Sequence, residues 1–312
     1  MSNKTLLLTV GALALAACDS PTAPNTVPLE AMVLRPPPIF RLAERIAFRS
    51  ARAGAPGYDE IYVMNQEGGA LVRLTNSPGY DGEPALSHDG SKVAFASFRE
   101  GTYCCGVYVM NAADGSGVGR LTTGRSPAWS HDGSKIAFTR SGASGSDIFV
   151  INADRTGVVQ LTSAPGNDDQ PAWSPDGSKI AFRSWRDGSS DIYVMSALDG
   201  SGVVRLTTDP SYDEHPAWSP DGSKIAFASN RTQNSQIYIM NATDGSGVVR
   251  VATNTYWDYQ PTWSPDGKQI AFTSRRDGND EIYVMSALDG SGVLRLTTDP
   301  AFDGEASWAP RF

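Results

Sequence analysis

A motif that returns every 43 to 45 residues runs through this 312-residue chain, and a period of that length leaves few architectures open. Aligned on the proline before a tryptophan, the copies place Pro84, Pro127, Pro171, Pro216 and Pro261, with Ala306 in the last, at spacings of 43, 44, 45, 45 and 45. Each unit holds four short apolar segments, which in the copy at Pro171 read PAWS, KIAFRS, DIYVMS and VVRLTT. Ser-Pro-Asp-Gly joins the first two. Proline there pre-sets φ and glycine supplies a positive φ, so the segment predicts a tight hairpin. His88 and His131 replace the proline in two copies and read as turn surface, because that turn position accepts most residues. A second glycine-rich turn, Ala-Leu-Asp-Gly-Ser-Gly and its relatives, joins segments three and four. Two hairpins per unit predict a four-stranded antiparallel meander.

KIAF and IYVM are apolar on consecutive positions, so both faces of each small sheet must be covered. Six such sheets set radially satisfy this, each covered by a neighbour on either side. No segment keeps a 3.6-residue apolar period across ten residues, which removes helical repeats. The expected fold is an all-β, six-bladed propeller of four-stranded antiparallel blades over residues 44–312. Its first unit opens at Arg45–Phe48, already at a second strand. Ala306-Ser307-Trp308 then supplies the missing innermost strand, closing the ring and leaving no sheet edge between first and last blades.

Forty per cent apolar residues is enough for a core, and a formal charge of −8 argues against an electrostatic grip on nucleic acid. Three cysteines, Cys18, Cys104 and Cys105, make no disulfide framework. Residues 1–17 carry Lys4 and then an apolar run too short to span a bilayer, which is a secretory leader pattern. Leu15-Ala16-Ala17-Cys18 resembles a bacterial lipobox, which implies lipidation at Cys18 and a membrane contact through that anchor alone. Residues 18–43, with Pro21, Pro24, Pro28 and Pro36-Pro37-Pro38, read as a semi-rigid extended tether.

The motif P-x-W-S-P-D-G-x-x-I-A-F, followed by I-Y-V-M-N and R-L-T, resembles the WD40-like PD40 repeats of TolB-type propellers over residues 44–312. That resemblance implies a bacterial envelope protein, facing the periplasm or the exterior, that works through partners. TolB-type proteins carry an α/β domain ahead of the propeller, where this chain has the proline-rich tether.

In a propeller the loops between strands two and three, and between blades, share one face, and the tight hairpins share the other. The loops vary between copies, so the loop face is the better candidate for binding. Asp81, Asp168, Asp213, Asp258 and Asp303 recur on it, and Arg52, Arg99, Arg186, Arg231 and Arg276 recur four residues after each IAF phenylalanine. The copy at Pro127, the third blade once the unit opening at Arg45 is counted, lacks both, with Gly124 and Gly142 instead. Joint loss predicts bidentate Asp–Arg pairs that fix the loops.

The residues before the aligned prolines, Glu83, Ser126, Gln170, His215, Gln260 and Glu305, should lie nearest the channel. One histidine beside two carboxylates is not a metal-ligand set, and no cofactor is expected; a channel cation would be oxygen-ligated Ca²⁺ sooner than zinc. Trp129, Trp173, Trp218, Trp263 and Trp308 follow the repeat and read as inter-blade core. Tyr80, Tyr212, Trp257 and Phe302 precede the loop aspartates, and Trp185 stands beside Arg186. Trp185 and Trp257 depart from the repeat and are the stronger candidates for holding a partner. Cys104-Cys105 is either a vicinal disulfide or two thiols in a loop.

Two functions of different class follow. The first is a non-catalytic, monomeric, lipid-anchored envelope protein whose propeller binds a protein or a glycan. The second is a propeller lyase or hydrolase using His215, Glu83 and Glu305 at the channel mouth. The chain carries no GxSxG, paired-histidine metal motif or phosphate loop, which favours the first.

Overall fold

The computed structural model describes residues 45–53, 58–101, 105–143 and 145–309. The leader, Cys18, the tether and Cys104 lie outside the described residues.

The described chain forms six four-stranded antiparallel sheets. Innermost strands Asp81–Leu86, Arg125–Trp129, Asp168–Trp173, Asp213–Trp218, Asp258–Trp263 and Asp303–Trp308 each touch the next, and the last touches the first of them. That closed circuit is a six-bladed propeller. Blades are numbered here from the one containing Arg45–Ser50. Asp303–Trp308 is the inner strand of this first blade, antiparallel to Arg45–Ser50, with Ile46 opposite Trp308, Ala47 opposite Ser307, and Ser50 opposite Asp303.

The apolar runs divide their residues between two interfaces. In the first blade Ile46, Phe48, Tyr62 and Met64 pack against Ala271, Ile282 and Val284 of the sixth. Ala47, Ile61 and Val63 of the same two strands pack against Val93, Phe95 and Tyr108 of the second. The small alanine of each Ile-Ala-Phe leaves room for the neighbour's phenylalanine. Phe48, Phe95, Phe138, Phe182, Phe227 and Phe272 are all fully buried, one per blade. Burying each such ring contributes about 1.5–3 kcal/mol.

Tryptophans tie one blade to the preceding one. The indole Nε1 of Trp129, Trp173, Trp218 and Trp263 donates to the carbonyls of Ala85, Ala128, Ala172 and Ala217 at 3.0–3.1 Å. Arg-Leu-Thr also has a role that sequence reasoning did not assign. In the first blade Thr75 accepts the Ile61 N–H and donates to the buried Glu60, while Arg73 pairs with Glu60 at 2.8 Å. Arg205 with Asp191 and Arg295 with Glu281 repeat that ion pair. In the glycine-rich hairpin a side chain has no room: a Cβ on Gly290 would lie 1.8 Å from the Val251 carbonyl of the preceding blade.

Candidate functional site: the channel belt and the loop face

Each inner strand carries a β-bulge at the residue before the aligned proline. Glu83, Ser126, Gln170, His215, Gln260 and Glu305 accordingly have φ between 50° and 58°. That conformation is costly for a residue with a side chain, and costlier still before proline. A bulged residue lacks a ladder partner, and proline has no N–H to leave unpaired there.

The bulge turns these side chains along the ring. Glu305 Oε2 accepts the Glu83 N–H at 2.7 Å, and Glu83 Oε2 accepts the Ser126 N–H at 2.5 Å. Gln170 Oε1 accepts the His215 N–H at 2.8 Å, and Gln260 Oε1 accepts the Glu305 N–H at 3.1 Å. A belt of blade-to-blade hydrogen bonds thus runs round the channel, interrupted after Ser126, which is too short, and after His215. Glutamate and glutamine carry an oxygen at the same reach, and that shared chemistry was the sequence signal for the belt.

His215 turns back toward Gln170. The amide oxygen of Gln170 is taken by the His215 N–H, so its Nε2 donates to His215 Nε2, 3.1 Å away. A neutral imidazole then carries its proton on Nδ1, which is sealed from solvent without a hydrogen-bond partner. Burial holds this imidazole below its usual pKa.

All six belt residues line a central channel of about 680 Å³ that continues past the tryptophans to His88, His131, Pro175, Pro220 and Pro265. The two histidines therefore border the hairpin-side mouth, where sequence reasoning had read plain turn surface. Among the described residues no three His, Cys, Asp or Glu converge on a metal position.

On the loop side, five Arg–Asp contacts stand at 2.5–3.1 Å: Arg52–Asp303, Arg99–Asp81, Arg186–Asp168, Arg231–Asp213 and Arg276–Asp258. Their geometry corrects the expected bidentate fork. Nη2 reaches the aspartate, while Nε donates to Ser50, Ser97, Ser184, Ser229 or Ser274 at 2.8–2.9 Å. Each guanidinium also lies over the blade's Phe and Tyr rings, as Arg231 does over Phe227 and Tyr238 at 5.4 and 4.7 Å. The five carboxylates are buried and are not a free anionic ring.

The third blade needs a second correction, because it keeps the cation. Arg140, two residues after Phe138, lies over Phe138 and Phe149 at 5.2 and 4.7 Å. Lacking an aspartate, it donates to Thr122 Oγ1 at 2.6 Å. The second strand of this blade runs on to Gly142, and Arg140 reaches the rings from within it, two positions earlier in the repeat than Arg231 does from the second strand of the fifth blade.

Further charges at this mouth escaped sequence reasoning. Arg183 grips Asp169 through Nε and Nη2, each at 2.6 Å, and reaches Glu214 through Nη1 at 2.6 Å. Arg49 pairs with Glu305 at 2.6 Å and lies over Phe302 at 4.0 Å and Tyr80 at 5.3 Å.

The aromatic candidates separate. Trp185 packs on Tyr212 of the next blade, ring centroids 5.1 Å apart, and is only partly exposed. Trp257 is 49% exposed beside Tyr256. Phe98, Tyr58 and Tyr212 are also exposed, so every Phe, Tyr or Trp ring of that exposure among the described residues belongs to the loop face.

Burial pushes the Glu305 carboxyl up to about 7 despite Arg49, and the Asp303 carboxyl up to about 6 despite Arg52. Both lie on the closing strand. Their folded-state pKa values exceed the unfolded ones, so the folded protein binds more protons between about pH 4 and pH 7. These two carboxyls therefore contribute stability that is greatest at the acid side of that window and falls as pH rises through it, while the depressed His215 and His88 imidazoles act in the opposite sense. In the stability difference between pH 5 and pH 8, the carboxyls' share should be roughly 1–3 kcal/mol in favour of pH 5, read by comparing the parent with a Glu305 variant. Glu305→Gln, which keeps an acceptor for the Glu83 N–H, should remove most of that share; an unchanged pH profile would refute this assignment.

A family model described as PD40, the TolB beta propeller domain, matches residues 122–215. The protein TolB homolog of Chlorobium luteolum is 36% identical over 124 residues, covering 39% of this chain and 27% of that protein, so the match spans about a quarter of the curated relative. The crystal structure of TolB from Acinetobacter baumannii superposes with a TM-score of 0.76 at 26% identity, over 87% of this chain and 68% of that one. A putative TolB from Agrobacterium tumefaciens gives 0.67 at 24% identity, over 85% and 92%. Hydrazine synthase from Kuenenia stuttgartiensis gives 0.69 at 18% identity, over 86% and 48%, which is a likeness of fold alone.

Proposed function

We propose that this chain, a six-bladed propeller similar to TolB propellers and matching the PD40 model over residues 122–215, is a non-catalytic, lipid-anchored envelope protein whose loop face binds another protein or a glycan. The observation that carries the reading is the confinement of half-exposed aromatic rings to that face, with Tyr212, Tyr256 and Trp257 on adjacent blades. Half-exposed rings that keep a polar edge dominate binding energy at interfaces. The Asp–Arg–Ser clamps hold their loops in place, so little ordering entropy opposes association. Cys18 supplies the anchor and the tether the distance from the membrane.

His215, the one histidine in the belt, speaks against the enzyme reading. Its Nε2 is occupied by Gln170 and its Nδ1 is sealed from solvent, so neither nitrogen can take a proton from a substrate.

A photo-crosslinking residue placed at Trp257 or Tyr212 tests the face. Crosslinks in intact envelopes should form from these positions and not from Leu198, an exposed residue in a hairpin of the opposite face. Trp257→Ala with Tyr212→Ala should weaken capture at least tenfold, about 1.4 kcal/mol or more. A glycan partner would appear as array binding lost in the same double variant. Crosslinks from Leu198 alone would overturn the assignment of the face, and Cys18→Ala should release the protein from membranes if the anchor is lipid.

A further inference from the structure

The belt breaks after Ser126 and after His215, and the two breaks are not alike. The sixth blade shows what an unbroken junction holds. There Gln260 Oε1 accepts the Thr273 hydroxyl at 3.0 Å and the Glu305 N–H of the next blade at 3.1 Å. Thr273 lies opposite Tyr259, the residue before Gln260. In the third blade Thr139 lies opposite Arg125, the residue before Ser126, so Thr139 and Ser126 repeat the places of Thr273 and Gln260. Serine, however, ends two atoms short of the glutamine oxygen. Thr139 Oγ1 is fully buried and has no hydrogen-bond partner among the described residues. The belt bonds on either side, Glu83 to Ser126 and Gln170 to His215, leave the Gln170 N–H without a side-chain acceptor among those residues. The break after His215 offers less: Ala228, opposite Glu214, stands where Thr139 does and brings no hydroxyl.

A cation stands at the same junction. The half-exposed Arg125 comes only within 3.7 Å of Asp169, the residue before Gln170, and Arg183 already holds both oxygens of that carboxylate at 2.6 Å. Arg125 thus keeps its donors for another acceptor. The first blade shows the full arrangement built from the protein's own groups: Glu305 meets Arg49 through Oε1 at 2.6 Å and the Glu83 N–H through Oε2 at 2.7 Å. One carboxylate there spans a guanidinium and a belt N–H. Glu83, the carboxyl on the other side of Ser126, is committed to the Ser126 N–H, and burial pushes its pKa up, which lessens its repulsion of a second acid.

We propose that the junction of the third and fourth blades is a carboxylate-binding site of the channel. One ligand oxygen takes the place that Gln260 Oε1 holds in the sixth blade and accepts from Thr139 Oγ1 and the Gln170 N–H. The other faces Arg125, as Glu305 faces Arg49. Ser126 and Gln170 both line the channel, so the site opens into it. The carboxylate comes from a small free acid or from an acidic side chain entering by the loop-side mouth. Crosslinking at Trp257 tests the loop face and the junction is tested separately, so either reading can fail without the other.

Acetate is the probe for a free acid, and a capped Gly-Glu-Gly peptide the probe for a side chain. Followed by NMR at the Gln170 amide, at least one should give a saturable shift that sodium chloride of equal ionic strength does not. Saturation by acetate with the peptide no tighter assigns the site to small acids; tighter saturation by the peptide assigns it to an acidic side chain. Thr139→Val keeps the shape and removes the hydroxyl, so affinity should fall about tenfold while the variant melts no lower than the parent. Ser126→Gln places there the residue that the fourth and sixth blades already carry, and is expected to fold. Its own oxygen should abolish the saturable shift and raise the melting temperature by about 2–4 °C. No saturable shift with either probe, or the same shift in Ser126→Gln, would overturn the proposal and leave the junction to water only.

Discussion

Removing residues from Glu305 onward should abolish cooperative unfolding of the whole propeller instead of trimming a frayed end. Trp308 is 6% exposed within a cluster that includes Ile46, Phe48 and Ala271, and Ala309 is fully buried. Loss of a buried tryptophan alone costs about 3–5 kcal/mol. The deletion also strips the Glu83 N–H of its acceptor, removes the Ser307 hydroxyl that accepts the Leu86 N–H, and leaves Arg49 without Glu305. The combined loss approaches the whole stability of an ordinary domain, about 5–15 kcal/mol. Calorimetry should show the main transition shifted down by more than about 10 °C or lost. Moving residues 303–309 ahead of Arg45, through the Ser-Pro-Asp-Gly turn that the other blades use, should restore the parent transition. A truncated chain that melts like its parent would remove the case for closure by this strand.

Arg231→Ala should destabilise the protein by about 3–5 kcal/mol, because it strands the fully buried Asp213 without its cation. Arg140→Ala should cost less, roughly 1–2 kcal/mol, although its guanidinium stacks on the corresponding pair of rings. Among the described residues no carboxylate pairs with Arg140. Urea denaturation of the two variants side by side separates the charge from the stacking. Adding Asp213→Asn to Arg231→Ala should recover most of the larger loss, since the stranded charge is then gone. Equal losses at Arg231 and Arg140 would assign the clamp to stacking and leave the aspartate a bystander.

The fold was legible because the repeat is long, regular and rich in hairpin chemistry. Consecutive apolar residues in KIAF and IYVM demanded two covered faces, and the Phe of each copy is fully buried. The clamp was visible as joint loss of Asp and Arg in the copy at Pro127, but half of that inference was wrong. Arg140 stands two residues from where the pattern placed it, yet its guanidinium covers the corresponding pair of rings. The serine in each clamp stayed hidden, since serine is common and its register opposite the aspartate is a property of the paired strands.

The belt shows the same limit from another side. Glu83, Gln170, His215, Gln260 and Glu305 read as a variable set open to a ligand. The bulge turns most of them along the ring, where they hold the next blade's backbone. The side-chain direction follows from a positive φ that no residue type before proline announces.

By itself the sequence determined the repeat unit, its two hairpins, the six blades and the sharing of the first blade between both ends of the propeller, since these follow from periodicity and local turn chemistry. Only the tertiary structure decided which polar groups are consumed. The clamps and the belt join residues 18 to more than 200 positions apart, so burial and neighbouring charge exist for them only once the ring has closed.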